Sequence, residues 1–206
     1  MDVVELKKEQ LKLAAKVLIR DTVDRVKFIG GAATIASQSK LWGCVVVCEF
    51  PSLKLVEQRT YLLHDPLPYH PGFEAYREMP ALVEAYNSLE QEPDILLVEG
   101  AGILHPRRLG LASHVGLALN QPTIGVMDSL PLGRVEKGKI FVDNEIVGFE
   151  IKTREYSKPI YASPGHLVSL GMVLHIIPQT VMHPHKMPEP IHLAHKIAKK
   201  KLKGNV

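Results

Sequence analysis

The order of the predicted elements limits the fold more than any other feature of the sequence. Three β-type runs, at residues 27–37, 41–50 and 53–63, are joined by connections as short as QSK and PS, which predicts an antiparallel meander. Helical and strand patterns then alternate along the rest of the chain. This order predicts an α/β fold in which one mixed sheet is flanked by helices in a single domain, residues 1–206.

Apolar residues at three- and four-residue spacings predict amphipathic helices over residues 4–19, 73–89 and 190–202. RRLGLASHVGLAL and HLVSLGMVLHII predict two more helices, and DILLVEG and PTIGVMD are apolar runs typical of central strands. Turn-rich pieces before VGFEIKT and PIYASP predict a hairpin insertion near a site. Residues 178–206 are rich in His and Lys, which predicts a basic C-terminal tail and helix.

Composition excludes several classes of protein. The 206 residues are 46% apolar and 23% charged, which excludes a disordered chain and a transmembrane bundle. The formal charge of +3 is too small to indicate nucleic-acid binding by itself, so any such site must be local. Cys44 and Cys48 lie about 13 Å apart on a strand, beyond disulfide reach. We therefore expect a cytoplasmic protein with no membrane partner.

Three acidic residues mark the ends of central strands or a helix beside them. Glu99 ends the run ILLV, Asp128 ends TIGVM, and Glu78 lies in the helix before DILLVEG. Carboxylates from three elements can gather a hard divalent cation such as Mg²⁺, which takes oxygen ligands and leaves positions for substrate phosphate. The alternative is three solvated surface acids, and spacing alone leaves both interpretations open.

Two loops have compositions suited to nucleic acid. GAGILHPRRLG combines glycines, which let the backbone approach a ligand, with His105, Arg107 and Arg108, which offer donors to a phosphodiester. PLPYHPG is a stiff prolyl loop that holds Tyr69 outward, where an aromatic ring can wedge between bases. The alternatives are a helix start capped by the arginines and an ordinary turn with a packed tyrosine.

The last third of the chain offers weaker candidates. SPGH is predicted to follow a strand and start a helix, so Ser163 or free backbone N–H groups either receive an anion or cap the helix. His183, His185, His192 and His195 suggest a metal site, but nothing in the sequence fixes their geometry. A solvated basic tail that touches phosphate is the favoured interpretation.

Several segments together resemble the endonuclease V family. PYHPG, FEAYREMPAL, DILLVEGAGILHPRRLGLASHVG, PTIGV and YASPGH follow one another in that family's order and spacing, over nearly the whole chain. The resemblance implies a ribonuclease-H-like fold and Mg²⁺- or Mn²⁺-dependent hydrolysis of a phosphodiester near inosine or deoxyinosine in DNA or RNA. It also implies that a deaminated base is turned out of the strand into a pocket.

The resemblance assigns roles to positions of this chain. Tyr69 is the expected strand-parting wedge, and the loop at residues 100–104 together with SPGH is expected to form the base pocket. Glu78 matches a metal ligand of the family, and His105 and His166 match its site histidines. The residues expected to contact nucleic acid are Tyr69, His70, Pro71, Gly100, Gly102, Ile103, Leu104, Arg107, Arg108, Ser163 and Gly165.

The departures from the family pattern fall at the expected catalytic centre. Ala33 stands where the family has a first-strand aspartate ligand, Glu99 replaces a shorter aspartate, and Asp128 replaces a lysine. A lost carboxylate removes metal positioning and charge stabilisation, which supply most of the rate in phosphoryl transfer. The catalytic candidates are Glu78, Glu99, Asp128, His105 and His166, of which the three carboxylates are also the candidate metal ligands.

Three functions follow from this combination of matches and departures. The first is recognition of a deaminated base, with nicking weakened, dependent on a different metal, or absent. The second is a pseudoenzyme scaffold that contacts protein partners and binds no nucleic acid. The third is an active nuclease in which Asp128 replaces the missing ligand beside Glu78 and Glu99.

Overall fold

Residues 2–37 and 39–204, which the computed structural model describes, form nine strands and five helices. In chain order the elements are α1 (Val3–Ala14), β1 (Phe28–Ala36), β2 (Lys40–Glu49), β3 (Leu55–His64), α2 (Glu74–Asn87), β4 (Ile95–Glu99), α3 (Leu111–Leu119), β5 (Thr123–Met127), β6 (Arg134–Glu136), β7 (Lys139–Val142), β8 (Glu145–Ile151), β9 (Ile160–His166), α4 (Leu170–Gln179) and α5 (Glu189–Leu202). None of these helices is long and apolar enough to cross a bilayer.

The strands make a single mixed sheet in the order β3-β2-β1-β4-β5-β9-β8-β7-β6. The predicted meander is confirmed, because β1, β2 and β3 pair antiparallel. The next pairings, β1 with β4 and β4 with β5, are parallel. The carboxyl ends of these three central strands therefore meet at one edge of the sheet, which is where α/β proteins form ligand crevices.

Helices cover both faces of the sheet, as predicted. On one face α5 packs over β1 and β2, with Ile191 in its apolar layer. On the other face α2 and α3 bury Leu82 and Val115. The contact between α5 and β1 is so close that a Cβ at Gly31 would lie 2.1 Å from the backbone carbon of Pro190, so only glycine fits there.

The first helix is shorter than predicted. It ends at Ala14, whereas the apolar spacing continues to residue 19. The following segment makes other contacts: the Leu18 N–H donates to His166 Nδ1 at 3.2 Å, and the Asp21 carboxylate accepts from the Ser169 N–H at 2.6 Å. These contacts to a distant part of the chain compete with continued helix, and periodicity does not register them.

SPGH does not start a helix, and that prediction is wrong. It forms the end of β9, where Thr123 of β5 pairs with His166. The next helix, α4, begins only at Leu170, and the Ser169 hydroxyl caps it by accepting from the Met172 N–H at 3.1 Å. The glycine and proline of the segment are accommodated by a shift in strand register between Thr123 and Ile124.

The predicted hairpin insertion is confirmed as two successive hairpins, β6–β7 and β7–β8. Their turns have positive φ at Lys137 and Gly138 and at Asp143 and Asn144. Two successive positive φ values are typical of the tight turns that match the twist of paired strands. The hairpins extend the sheet on the side away from the meander.

Candidate functional site

The carboxyl edge of the parallel strands opens into a cavity of about 730 Å³. It lies where β4 and β5 end and where the loops after them turn back over the sheet. Its walls are formed by Tyr69, Pro71, Gly72, Glu74, Glu78, Glu99, Gly100, Ala101, Leu104, His105, Pro106, Leu111, Met127, Asp128 and Pro131. The volume lies within the range of small-molecule and base-sized sites.

The three predicted carboxylates all line this cavity. Glu78 comes from α2, Glu99 is the last residue of β4, and Asp128 directly follows β5. Glu78 and Glu99 are partly covered, whereas Asp128 is exposed at the cavity mouth. The fold therefore brings the three residues to one opening, although it gives them different surroundings.

Glu78 lies on α2, on the face of the sheet opposite to the face on which Ala33 packs. The Thr34 hydroxyl donates to the Glu78 carboxylate at 2.8 Å. Burial raises the pKa of Glu78, and the neighbouring charges of Glu74 and Glu99 add to the rise against the Thr34 hydrogen bond. A raised pKa marks a carboxylate kept in a site that favours its neutral form.

Glu99 has a partner that the sequence did not indicate. The His195 ring, on α5, lies with Nδ1 2.9 Å from a Glu99 carboxylate oxygen. The solvated-tail interpretation is therefore wrong for this histidine, because the buried face of α5, with Ala194 and Ala198, holds the helix on the sheet. The contact joins residues 96 positions apart, so no local sequence signal could have found it.

Ala33 occupies the interior of β1 and offers only a methyl group. It is 1% exposed and packs in the apolar layer beneath α5, together with Ile191 and Ala194. The pairing of Ala32 with Val98 places Ala33 beside Glu99 on the neighbouring strand. A carboxylate at this position would lie beside Glu99, whereas the alanine methyl group offers no donor to a cation.

The remaining donors do not fit a divalent cation. Across the described part of the chain, no three His, Cys, Asp or Glu side chains are grouped so that they could hold a metal ion. Glu78 is engaged by Thr34, Glu99 is engaged by His195, and Asp128 lies out at the mouth. Mg²⁺ requires near-ideal octahedral geometry, so such a dispersed set is a poor match.

The Tyr69 loop projects over the cavity. Tyr69 is 61% exposed, and its hydroxyl donates to Glu74 Oε1 at 3.3 Å. The same carboxylate oxygen also accepts the Gly72 N–H at 2.9 Å. The neighbouring His70 ring is exposed and packs edge-on against Phe73, with 5.1 Å between the ring centroids. The geometry presents an aromatic ring to solvent on a fixed loop, as a wedge requires.

The Gly72 carbonyl anchors that loop to helix α1 and to the loop after β4 through three donors. It accepts from Gln10 of α1 at 3.0 Å, from the Arg107 guanidinium at 2.6 Å and from His105 Nε2 at 3.2 Å. The Arg107 guanidinium also lies 4.6 Å from the centroid of the Phe73 ring. Arg107 therefore braces the Tyr69 loop and does not line the cavity, while its role as a phosphate donor stays a prediction.

His105 is a neutral side chain that joins the loop after β4 to the Tyr69 loop. Burial and the nearby Arg107 charge lower the pKa of His105 to about 4. Its Nδ1 accepts the Arg107 N–H at 3.2 Å, so Nε2 carries the proton that is donated to Gly72. His105 lines the cavity, but near neutral pH it has no proton in excess to supply as an acid.

Arg108 points away from the site. Its guanidinium donates to the Val142 carbonyl and to Glu145, both at 3.3 Å, and so ties the loop to the β7–β8 turn. It does not line the cavity, and its role as a nucleic-acid contact stays a prediction. Its φ of 56° fits a tight turn before α3.

The glycine loop after β4 is built on Ser163. The Ser163 hydroxyl accepts the N–H groups of Gly102 and Leu104, at 3.1 and 3.4 Å, and is itself buried. A Cβ at Gly102 would lie 2.0 Å from the Pro164 carbonyl oxygen, so the loop approaches β9 as only glycine allows. Ser163 thus shapes the pocket wall from behind, and at 1% exposure its hydroxyl is buried behind that wall.

The other predicted pocket residues have mixed positions. Gly100 and Leu104 line the cavity, whereas Ile103 packs in a separate small apolar cluster. Gly165 lies against Thr123, inside the sheet. His166 is 4% exposed, and its Nδ1 accepts from Leu18, so it lies outside the cavity and is not placed for catalysis.

The raised pKa of Glu78 predicts how stability responds to pH. A carboxyl whose folded pKa exceeds its unfolded value stabilises the fold fully only below the unfolded pKa, and this contribution is lost as pH rises through the folded pKa. We expect Glu78→Gln to have a higher Tm than the unmodified protein at pH 7, with the difference vanishing below about pH 4.3. Thermal unfolding from pH 4 to pH 8 measures this.

Glu84→Gln is the matched control, because Glu84 is exposed on the same helix. Its effect on Tm should be small across the same pH range. A lower Tm for Glu78→Gln at pH 7 would show that the carboxylate stabilises the native fold, against this account.

Comparisons with known proteins agree with this geometry. The family model "Endonuclease V" matches residues 11–196. Endonuclease V of Dictyoglomus thermophilum is 36% identical over 209 residues, which cover 98% of this chain and 90% of that relative. Endonuclease V of Dictyoglomus turgidum is also 36% identical, over 210 residues, covering 98% of this chain and 92% of the relative.

Solved structures give the same result at the level of fold. The catalytic domain of human endonuclease V is 27% identical, with a TM-score of 0.87 over 100% of this chain and 99% of that one. Ciona intestinalis endonuclease V, solved with a 24mer DNA containing an inosine followed by a ribo-adenosine, is 28% identical, with a TM-score of 0.89 over 98% of each chain. The predicted ribonuclease-H-like fold is confirmed, and the chain belongs to the endonuclease V family.

Proposed function

We propose that this protein recognises a deaminated base, inosine or hypoxanthine, in DNA or RNA, and that its metal-dependent cleavage of the phosphodiester is weakened or lost. One observation carries the proposal: the aromatic loop and the glycine loop line the cavity, whereas Ala33, beside Glu99 in the sheet, offers only a buried methyl group. Recognition and cleavage thus draw on different residues, and only the second set is altered.

The recognition half is supported by how firmly its loops are held. Three donors converge on the Gly72 carbonyl, and Ser163 accepts two N–H groups of the glycine loop. A rigid exposed ring at Tyr69 can take the place of an extruded base in the stack, and extrusion costs only a few kcal/mol. The cavity beside Tyr69 then offers a wall of backbone and carboxylate groups to the base.

The similarity to the Ciona protein supports the class of partner. That protein was solved with DNA containing an inosine followed by a ribo-adenosine. This chain matches it over 98% of each chain, so the surfaces around the cavity correspond in fold. DNA and RNA strands that contain deaminated bases are therefore the partners we propose.

The cleavage half is limited by the donor set. The family implies Mg²⁺, which would supply charge stabilisation at the phosphate. The residues present do not fit that ion, since Ala33 offers no ligand and Glu99 is hydrogen-bonded to His195. Displacement of a ligand by less than an ångström is enough to impair such a site, so we derive no cleavage step through a cation here.

One observation favours a second candidate, an active nuclease with an altered metal site. Glu78, Glu99 and Asp128 line the same cavity, so a shift of the exposed Asp128 loop would bring a third carboxylate nearer. The remaining alternative, a scaffold for protein partners, has no specific contact in its favour and would be identified by a failure to bind any oligonucleotide.

Binding of labelled oligonucleotides tests the recognition half. We expect single strands of DNA or RNA with one inosine to bind about tenfold more tightly than strands with guanosine or adenosine at that position, because site hydrogen bonds discriminate bases by about 1–3 kcal/mol. Fluorescence anisotropy measures the dissociation constants. Equal affinity for all three strands would overturn the recognition half.

The variant Ala33→Asp tests the cleavage half. It places a carboxylate beside Glu99 at the usual strand spacing of about 4.8 Å, where the two charges repel unless a cation binds between them. We expect Mg²⁺ or Mn²⁺ to raise the Tm of Ala33→Asp by several degrees, with little effect on the unmodified protein. We also expect nicking of end-labelled inosine strands only by the variant.

Ala33→Asn is the matched control, since it adds the same volume without the charge. It should show neither the metal-dependent Tm nor the nick. Efficient nicking by the unmodified protein would contradict the proposal and favour the set Glu78, Glu99 and Asp128, a result that Asp128→Asn would then confirm by abolishing the nick.

A further inference from the structure

One face of α5 carries an uninterrupted row of positive charge. Lys196, Lys199, Lys200 and Lys203 follow one another at spacings of three, one and three residues, so they share one side of the helix. All four are exposed, and together they are called the lysine row here. They line one shallow groove with His192 and His195.

The lysine row has no acidic partners. Within residues 2–37 and 39–204, none of its four ammonium groups forms a salt bridge. The one acidic residue of α5, Glu189, lies at the other end of the helix and pairs with His185. With an overall charge of only +3, this face is a local concentration of unneutralised positive charge.

The row is continuous with the cavity. His195 belongs to the same groove as the lysines, and its Nδ1 contacts Glu99 in the cavity wall. The cavity and the lysine row are thus linked through the His195–Glu99 contact, so the row lies close enough to the cavity to meet a strand whose base enters it.

The other faces of α5 are already occupied. Ile191, Ala194 and Ala198 are at most 1% exposed beneath the helix. Lys201, on another side, lies 6.0 Å from the Trp42 ring centroid. A membrane-surface helix needs a free apolar face, so the lysine row is suited to a soluble polyanion and not to a lipid bilayer.

We propose that the lysine row binds the phosphate backbone of the strand on one side of the base in the cavity. The inference rests on the proposed function, which it extends by assigning the path of the strand. From Lys196 to Lys203 the helix rises about 10 Å, which is long enough for the row to contact more than one phosphate of a strand. The contacts are charge to charge and carry no base specificity.

The test uses a double variant and a charge-matched control. The row variant, Lys196→Gln with Lys200→Gln, removes two charges of the lysine row. The control, Lys27→Gln with Lys54→Gln, removes two exposed charges that directly precede β1 and β3. Dissociation constants for a single strand that contains inosine are measured at salt concentrations from about 50 to about 200 mM. Circular dichroism checks that all four side-chain changes leave the fold intact.

For the row variant we expect the slope of log affinity against log salt to fall by about 1.4, at about 0.7 for each lost phosphate contact. The control should keep the slope of the unmodified protein. An unchanged slope in the row variant, or an equal fall in the control, would overturn the inference. Inosine preference is scored in the same titrations, so its absence alone would reject the proposed function and not the lysine row.

Strand polarity provides a second arm. Two oligonucleotides carry inosine at the 5′ end or at the 3′ end, so that the remaining nucleotides extend to one side only. Because the row lies on one side of the cavity, the row variant should weaken binding of only one of the two strands. Equal weakening of both would mean unspecific attraction and would contradict a defined path.

A third arm addresses the competing polyanion. Vesicles of phosphatidylcholine with phosphatidylserine are tested by co-sedimentation, with vesicles of phosphatidylcholine alone as the control. The inference predicts no binding that depends on Lys196 and Lys200. Lysine-dependent vesicle binding with unchanged oligonucleotide affinity would replace nucleic acid by a lipid surface as the partner.

Discussion

The parallel pairing of β1 with β4 and of β4 with β5 is the constraint on which the site depends. It brings the carboxyl ends of three strands to one edge of the sheet, and this pairing alone places Glu99 beside the segment that follows β5. The same pairing places Ala33 beside Glu99, where the side chain decides whether two carboxylates face each other. At this position β1 offers only a buried methyl group beside Glu99.

The recognition elements depend on a separate set of contacts. The Gly72 carbonyl collects hydrogen bonds from α1 and from the loop after β4, and Ser163 supports that loop from β9. None of these bonds involves Ala33 or Asp128. The Tyr69 loop is thus held independently of Ala33, and the proposed separation of binding from cleavage rests on this independence.

The fold and the position of the cavity could be predicted from the sequence, whereas the partners of individual side chains could not. The meander, the two apolar central strands and the resemblance together predicted where Glu78, Glu99 and Tyr69 would lie, because strand ends and loop composition are local properties. The roles of Arg107 and His195 were missed, since each depends on contacts to residues about 35 to 97 positions away. Periodicity carries no information on such pairs.

Under the proposed function, recognition of the base requires no cation. The most direct measurement compares the affinity of the unmodified protein for an inosine strand and a guanosine strand, in Mg²⁺ and again in excess EDTA. The account predicts the same preference for inosine in both conditions, because the Tyr69 loop and the glycine loop are held by the protein alone. A preference that disappears in EDTA would contradict it and would place a bound cation at the centre of recognition.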